Sequence, residues 1–179
     1  MAAQLDRKFF SRRADVVAKE LLGKVVARRL KNGKILRARI VETEAYFDEK
    51  DPASRAVQNG DLRKTMEMVP GTILVYGVHN NWLVNFVTGR EGNASAVLIR
   101  AIEPLNFEGN GKGPGLLTRA LHVNKEFHKK DMVNNKDIWL ENSKDNNFEI
   151  VEAFRVGIRN DLPKKFRFYI RGNEHVSRR

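Results

Sequence analysis

With 179 residues, 41% of them hydrophobic and 31% charged, the chain is sized for one domain with a proper core and is too apolar for wholesale disorder. It has no cysteine, which excludes disulfides, thiolate nucleophiles and Cys-ligated zinc. A net charge of +11 points to a polyanion bound through phosphate contacts.

Other absences narrow the class further. No apolar run reaches the length of a membrane span or a signal peptide, so an intracellular location is expected. The histidines His79, His122, His128 and His175 form no recognised ligand pair, and nothing in the pattern asks for a metal. Basic residues are dispersed, from Arg12-Arg13 and Arg28-Arg29 to Lys164-Lys165 and Arg178-Arg179. Dispersed charge among strands fits a folded nucleic-acid binder better than a basic tail does.

In chain order, Ser11 predicts the cap of a helix running to about residue 22, with Asp15 in its first turn and Gly23 ending it. Residues 25–30 pair with the run from Ile35 onward across Lys31-Asn32-Gly33-Lys34. Alternation along 35–46 places Leu36, Ala38 and Ile40 on one face, and Glu42, Glu44 and Tyr46 continue it. A face that begins as core and ends in two carboxylates and a phenol has left the interior for a polar cleft. Carboxylates are seldom buried without a partner, so one held at the lip of a core beside an aromatic ring suits a general base. The alternative is that either acid pairs with one of the many arginines or points to solvent.

The polar loop over 47–64, with Asp51-Pro52, is placed to line a site. Pro70-Gly71 opens a second hairpin, with strands over 72–78 and 82–88 and a turn at His79-Asn80-Asn81. His79 and Trp82 give its tip an aromatic character that suits a wedge between bases, unless Trp82 packs on the core. A strand follows over 95–103. The glycine-rich stretch 106–115 fits neither nucleotide-binding spacing, so no nucleotide cofactor is inferred. Residues 116–123 read as a short helix and 131–147 as a surface excursion around Ile138-Trp139-Leu140. Strands over 150–158 and 166–170 complete a single α+β domain, rich in hairpins and mostly antiparallel.

These residues resemble the alkyladenine (3-methyladenine) DNA glycosylase family. The specific segments are Arg39-Ile40-Val41-Glu42-Thr43-Glu44-Ala45-Tyr46 and Arg100-Ala101-Ile102-Glu103-Pro104. Shorter matches are Leu21-Leu22-Gly23-Lys24, Asp51-Pro52-Ala53-Ser54, Pro70-Gly71-Thr72, Asn85-Phe86-Val87-Thr88-Gly89, Gly113-Pro114-Gly115 and Arg167-Phe168-Tyr169-Ile170. They run in family order over nearly the whole chain, 1–179, as one domain. The resemblance implies a mixed domain with a curved antiparallel sheet, a few helices and a protruding hairpin. It implies a monofunctional glycosylase that flips damaged purines out of duplex DNA and hydrolyses the N-glycosidic bond, without metal or redox cofactor.

By position, the resemblance makes Glu44 the base that activates water and places Arg100 beside that water and the target nucleotide. Tyr46 becomes the ring that stacks on the flipped base, and Asn85 a border of the base pocket. Arg55 stands where the family usually has a pocket histidine, and a guanidinium disfavours a cationic base, so neutral lesions such as hypoxanthine gain ground. Tyr76-Gly77-Val78-His79 resembles the family's Tyr-Gly-Met-His, whose Tyr fills the gap left by the flipped nucleotide. Counting from Pro70-Gly71-Thr72 gives that place to His79 instead of Tyr76, and the exposed turn favours His79. Leu116 replaces a usual lysine, and Glu174-His175 an apolar pair. A monomer acting in the cytoplasm or nucleoid (the nucleus in a eukaryote) is expected. The competing readings are a non-catalytic nucleic-acid-binding module with the same fold and, on charge alone, an RNA-binding domain.

Overall fold

The computed structural model describes residues 4–143 and 147–178. Residues 144–146 of the Asn- and Lys-rich excursion, and Arg179 of the last basic pair, lie outside the described residues.

Two short helices open the chain. The Asp6 carboxylate accepts from the Phe9 amide and caps α1 (Arg7–Phe10). Ser11 then ends α1 instead of starting the next helix, because its amide and its hydroxyl both donate to the Arg7 carbonyl. The expected Ser11 cap is therefore corrected. Helix α2 (Ala14–Leu21) begins three residues later, with Arg13 at its N-cap position and no side-chain cap. Val17, Ala18 and Leu21 form its buried stripe, and Gly23, at φ 81°, ends it with an amide bonded to the Ile40 carbonyl.

The strands are β1 (Val25–Arg29), β2 (Ile35–Tyr46), β3 (Ile73–Val78), β4 (Asn81–Val87), β5 (Ala96–Pro104), β6 (Ile138–Glu141), β7 (Ile150–Ala153) and β8 (Arg167–Ile170). All pairings are antiparallel, in the order β3-β4-β5-β2-β1-β6. Strand β2 is the axis. One edge pairs with β5 along most of its length; the other pairs with β1 over Ile35 to Arg39 and then with β8 over Glu42 to Glu44. Strand β7 extends that second branch, so the sheet forks.

At the fork β2 changes parity. The register against β5 slips between Ile40 and Glu42 and recovers by Thr43. Ile40 and Val41 both join the core, after which Thr43 and Ala45 point inward and the Thr43 hydroxyl donates to the Ala18 carbonyl at 2.8 Å. Glu42, Glu44 and Tyr46 therefore do not continue the face of Leu36, Ala38 and Ile40. A bulge turns them onto the opposite face.

That face has a small apolar cluster of its own, with Met66, Leu74, Val87 and Ala96 packed beside Tyr46 and Tyr76. The expected loop over 47–64 covers it with a 3-10 turn, Arg55–Val57, and helix α3 (Asp61–Met66). His79 and Asn80, at φ 46° and 60°, make a two-residue turn between β3 and β4, and Asn81 already pairs with Val78. Trp82 sits opposite Gly77, near its ring, and is 37% exposed. Helix α4 (Pro114–Ala120) starts at its proline, earlier than the sequence pattern suggests, and Thr118 ties it to β4 through the Trp82 carbonyl at 2.7 Å. Strand β7 stops at Ala153 and not at residue 158, because Arg155 turns inward and Gly157 adopts φ 72°. No helix among the described residues is long and apolar enough to cross a membrane.

Candidate active site

Register builds the site. Glu44 lies opposite Leu98, Leu98 opposite Asn85, and Asn85 opposite Leu74, so one row crosses four strands on one face. Tyr46, Ala96 and Val87 make the next row. The parity change after Ile40 puts both acids and Tyr46 on this face. Arg100 reaches the same place from β5, with its Nε 3.3 Å from Glu42 and 3.6 Å from Glu44.

The two acids are held differently. Glu42, fully buried, receives the Arg167 Nε at 2.8 Å and the Ser177 amide at 2.7 Å, besides Arg100. Its charge is balanced by guanidinium groups on two strands. Glu44 is as deeply buried, but its close donors are neutral: the Val156 amide at 2.8 Å and the Tyr46 hydroxyl at 2.7 Å. Burial pushes the Glu44 carboxyl above the usual carboxylate range, against the pull of Arg100 and of those two hydrogen bonds, and the Glu42 charge adds to the rise. The Tyr46 phenol is raised too, by burial first and then by the Glu44 charge.

Tyr46 stands between Glu44 and a narrow cavity. Tyr46, Tyr76, Arg55 and Asn85 line it over Met66 and Leu74, and its free volume is about 10 Å³, room for no more than about one water. A purine ring needs far more room, so side chains at the rim such as the exposed Arg55 must move before a base can enter. The Arg55 guanidinium lies 4.9 Å from the Tyr76 ring centroid at the exposed rim. Asn85 is buried, with its Nδ2 donating to the Leu74 carbonyl at 3.2 Å. The structure thus brings together Glu44, Arg100, Tyr46, Arg55, Asn85 and Tyr76. His79 stands apart on the exposed turn, so Tyr76 belongs to the cavity and His79 to the hairpin tip.

The chain matches the model of the methylpurine-DNA glycosylase family over residues 8–174. It belongs to that family. A protein of Aeropyrum pernix named "Putative 3-methyladenine DNA glycosylase" is 38% identical, covering 99% of this chain and 95% of the relative. Proteins of the same name from Borrelia garinii subsp. bavariensis and Natranaerobius thermophilus are 37% and 36% identical, covering 98% and 97% of this chain and 100% and 98% of those relatives. The protein is therefore a DNA glycosylase, a hydrolase of N-glycosyl bonds.

Sequence reasoning missed Arg155, which packs against this site. Its side chain is fully buried, with the guanidinium 4.5 Å from the Tyr46 ring centroid. It donates to both Asp51 oxygens at 2.7 Å, to the Ala45 carbonyl at 3.0 Å and to Asp161 at 2.5 Å. Burial pulls its pKa down, but the hydrogen bonds to Asp51 and Asp161 outweigh that and hold it above the ordinary arginine value. Asp51 also accepts the Phe47 and Ala53 amides, so one Asp–Arg–Asp cluster fixes the loop after β2, the segment after β7 and one face of Tyr46. Asp51-Pro52 marks the loop in the sequence, but nothing near Arg155 marks its partner. Among the described residues no group of three His, Cys, Asp or Glu side chains is arranged to hold a metal ion.

Proposed function

We propose that this glycosylase removes alkylated adenine and neutral lesions such as hypoxanthine from duplex DNA, with Glu44 as the base that activates the attacking water. Chemistry on a base requires taking it out of the stack, at a cost of a few kcal/mol that is smaller for damaged pairs. Stacking on an aromatic ring returns about 1–3 kcal/mol per base, which is the part given to Tyr46, with Tyr76 as a second ring of the same cavity. His79, at the exposed turn, takes the gap left in the duplex. Cleavage then passes through an oxocarbenium-like sugar. An ionised Glu44 both deprotonates water and stabilises that positive charge, and Arg100 stands beside the attacking water and the nucleotide backbone. A cationic alkylated adenine leaves as a neutral base without further protonation, whereas hypoxanthine needs a proton from a donor such as water. The relatives named for 3-methyladenine support the first substrate class.

The observation that carries this reading is a fully buried carboxylate with neutral close donors, one hydrogen bond away from an aromatic cavity. The net charge of +11 suits a duplex partner, and such an enzyme is expected to act wherever the cell keeps its DNA. The test is base release from a panel of duplexes carrying methyladenine, methylguanine, ethenoadenine or hypoxanthine. Wild-type protein is expected to release at least one of them, and Glu44→Gln to lose about 10²–10⁴-fold in rate while still binding the duplex. Release undiminished in Glu44→Gln would overturn the role of Glu44, and no release from any duplex would leave only a binding module.

A further inference from the structure

Arg100 lies between two carboxylates and is committed to neither. Its Nε is buried and lies 3.3 Å from Glu42 and 3.6 Å from Glu44, yet it makes no well-formed hydrogen bond among the described residues. A guanidinium beside a fully buried carboxylate would ordinarily close onto it in a charge-assisted pair. What holds it back is on the Glu42 side. Glu42 is fixed by Arg167 from β8 at 2.8 Å and by the Ser177 amide at 2.7 Å, and Arg167 is itself only 8% exposed and tied to the Arg178 carbonyl. Glu42 is thus a rigid second anion that keeps a share of Arg100. An Arg100 paired directly with Glu44 would leave that carboxylate a feeble base. An Arg100 removed altogether would leave a buried carboxyl protonated. The intermediate placement suits a group that must be ionised and still take a proton.

We propose that Glu42 is a positioning residue: held by Arg167 and the Ser177 amide, it keeps the Arg100 guanidinium short of Glu44 and so preserves the basicity of Glu44. The catalytic half of this statement rests on Glu44 being the base. The groups facing Glu44 are Glu42 and Tyr46 from its own strand, Arg100 from β5 and Arg167 from β8, with the Val156 amide from the segment after β7. Arg155 lies behind Tyr46, and Thr43 and Ala45 turn away to the α2 side.

The experiment follows the Glu44 side-chain carboxyl by 13C NMR in glutamate-labelled protein, assigned with Glu44→Gln, as pH is varied. Glu42→Gln frees Arg100 to close on Glu44, and the Glu44 midpoint is expected to move to lower pH. Glu42→Asp keeps the charge but loses one carbon of reach, so it too is expected to move the midpoint down, part of the way. Arg167→Met leaves Glu42 with Arg100 as its cation, draws the guanidinium away from Glu44, and is expected to move the midpoint up. This variant keeps Glu42 compensated, so it remains informative if Glu42→Gln fails to fold. In base release, the acid limb of the rate is expected to follow each midpoint, with kcat of Glu42→Gln down about tenfold and KM for duplex unchanged. Direct repulsion between the acids also lowers the midpoint in Glu42→Gln, so the same change is made in an Arg100→Met background. Positioning through Arg100 leaves only a small part of the shift there. A shift as large as with Arg100 present overturns the proposal, as does a wild-type midpoint in Arg167→Met. The NMR titration does not need turnover. Wild-type protein that releases no base would remove the glycosylase reading, while the titration still decides whether Glu42 positions Arg100.

Discussion

Replacing Arg155 with methionine is the most demanding test of how the site is held. The substitution roughly keeps volume but removes the only guanidinium bonded to Asp51 among the described residues, and Asp51 is 1% exposed. Removing one partner of a buried ion pair costs about 3–5 kcal/mol, because the other charge stays behind without compensation. Asp51 keeps the Phe47 and Ala53 amides, at 3.0 and 3.1 Å, and Asp161 can turn to water, which argues for the lower end. For a domain of this size 1 kcal/mol corresponds to about 2–4 °C, so Tm should fall by about 6–12 °C. Loss of the cation facing Tyr46, a contact worth up to about 2 kcal/mol when buried, frees the ring, so KM for lesion duplex should rise as well. Thermal and urea unfolding followed by circular dichroism measure the first effect, and base release the second. Adding Asp51→Asn to Arg155→Met removes the stranded charge, and the double variant should be more stable than the summed single losses by about 1–3 kcal/mol. A Tm within about 2 °C of wild type, or strict additivity in the cycle, would refute the idea that this cluster clamps the pocket.

Two further outcomes follow from charge. Burial raises the Glu44 pKa, so the folded state binds that proton more tightly than the unfolded chain does, and ionising Glu44 costs stability as pH rises through its folded pKa. Glu44→Gln should therefore be more stable than wild type at pH 8, with the difference closing below the unfolded carboxylate's pKa of about 4.3, while wild-type activity grows as pH climbs through the raised value; denaturant curves at several pH values that show Glu44→Gln less stable at pH 8 would contradict this. Arg55→His exchanges a permanent cation over Tyr76 for a neutral ring at pH 8, and the ratio of hypoxanthine to methyladenine excision should fall. An unchanged ratio in paired excision assays would sink that account of lesion choice.

Much of the site was readable because it lies on one strand. Glu42, Glu44 and Tyr46 stand out by residue type and spacing alone, the choice of Glu44 between the two acids and the places of Arg55, Asn85 and Arg100 come from the family resemblance, and the neighbouring hairpin is signalled by its turn residues. The face they occupy was not readable. Period-two alternation holds until Ile40, and the bulge that reverses it depends on how β5 pairs, some sixty residues away in the chain. The same limit hid Arg155, whose carboxylate partner Asp51 is 104 residues distant, and Arg167, which reaches back 125 residues to Glu42. An isolated arginine in a basic chain carries no local sign that it is buried. Ser11 shows the opposite failure: a good cap residue by type was used by the turn before it, because the Arg7 carbonyl was the nearer acceptor.

The forked sheet has a consequence for how the enzyme comes into being. Strand β2 has its β1 and β5 neighbours from the first two-thirds of the chain, but the edge beside Glu42 and Glu44 is filled only by β8, near its far end. That strand also carries the Arg167 guanidinium to Glu42, so residues far along the chain complete the setting of both acids. A chain cut short before residue 167 would keep the cavity residues Tyr46, Arg55, Tyr76 and Asn85 but lose the guanidinium that fixes Glu42, and is expected to lose base release.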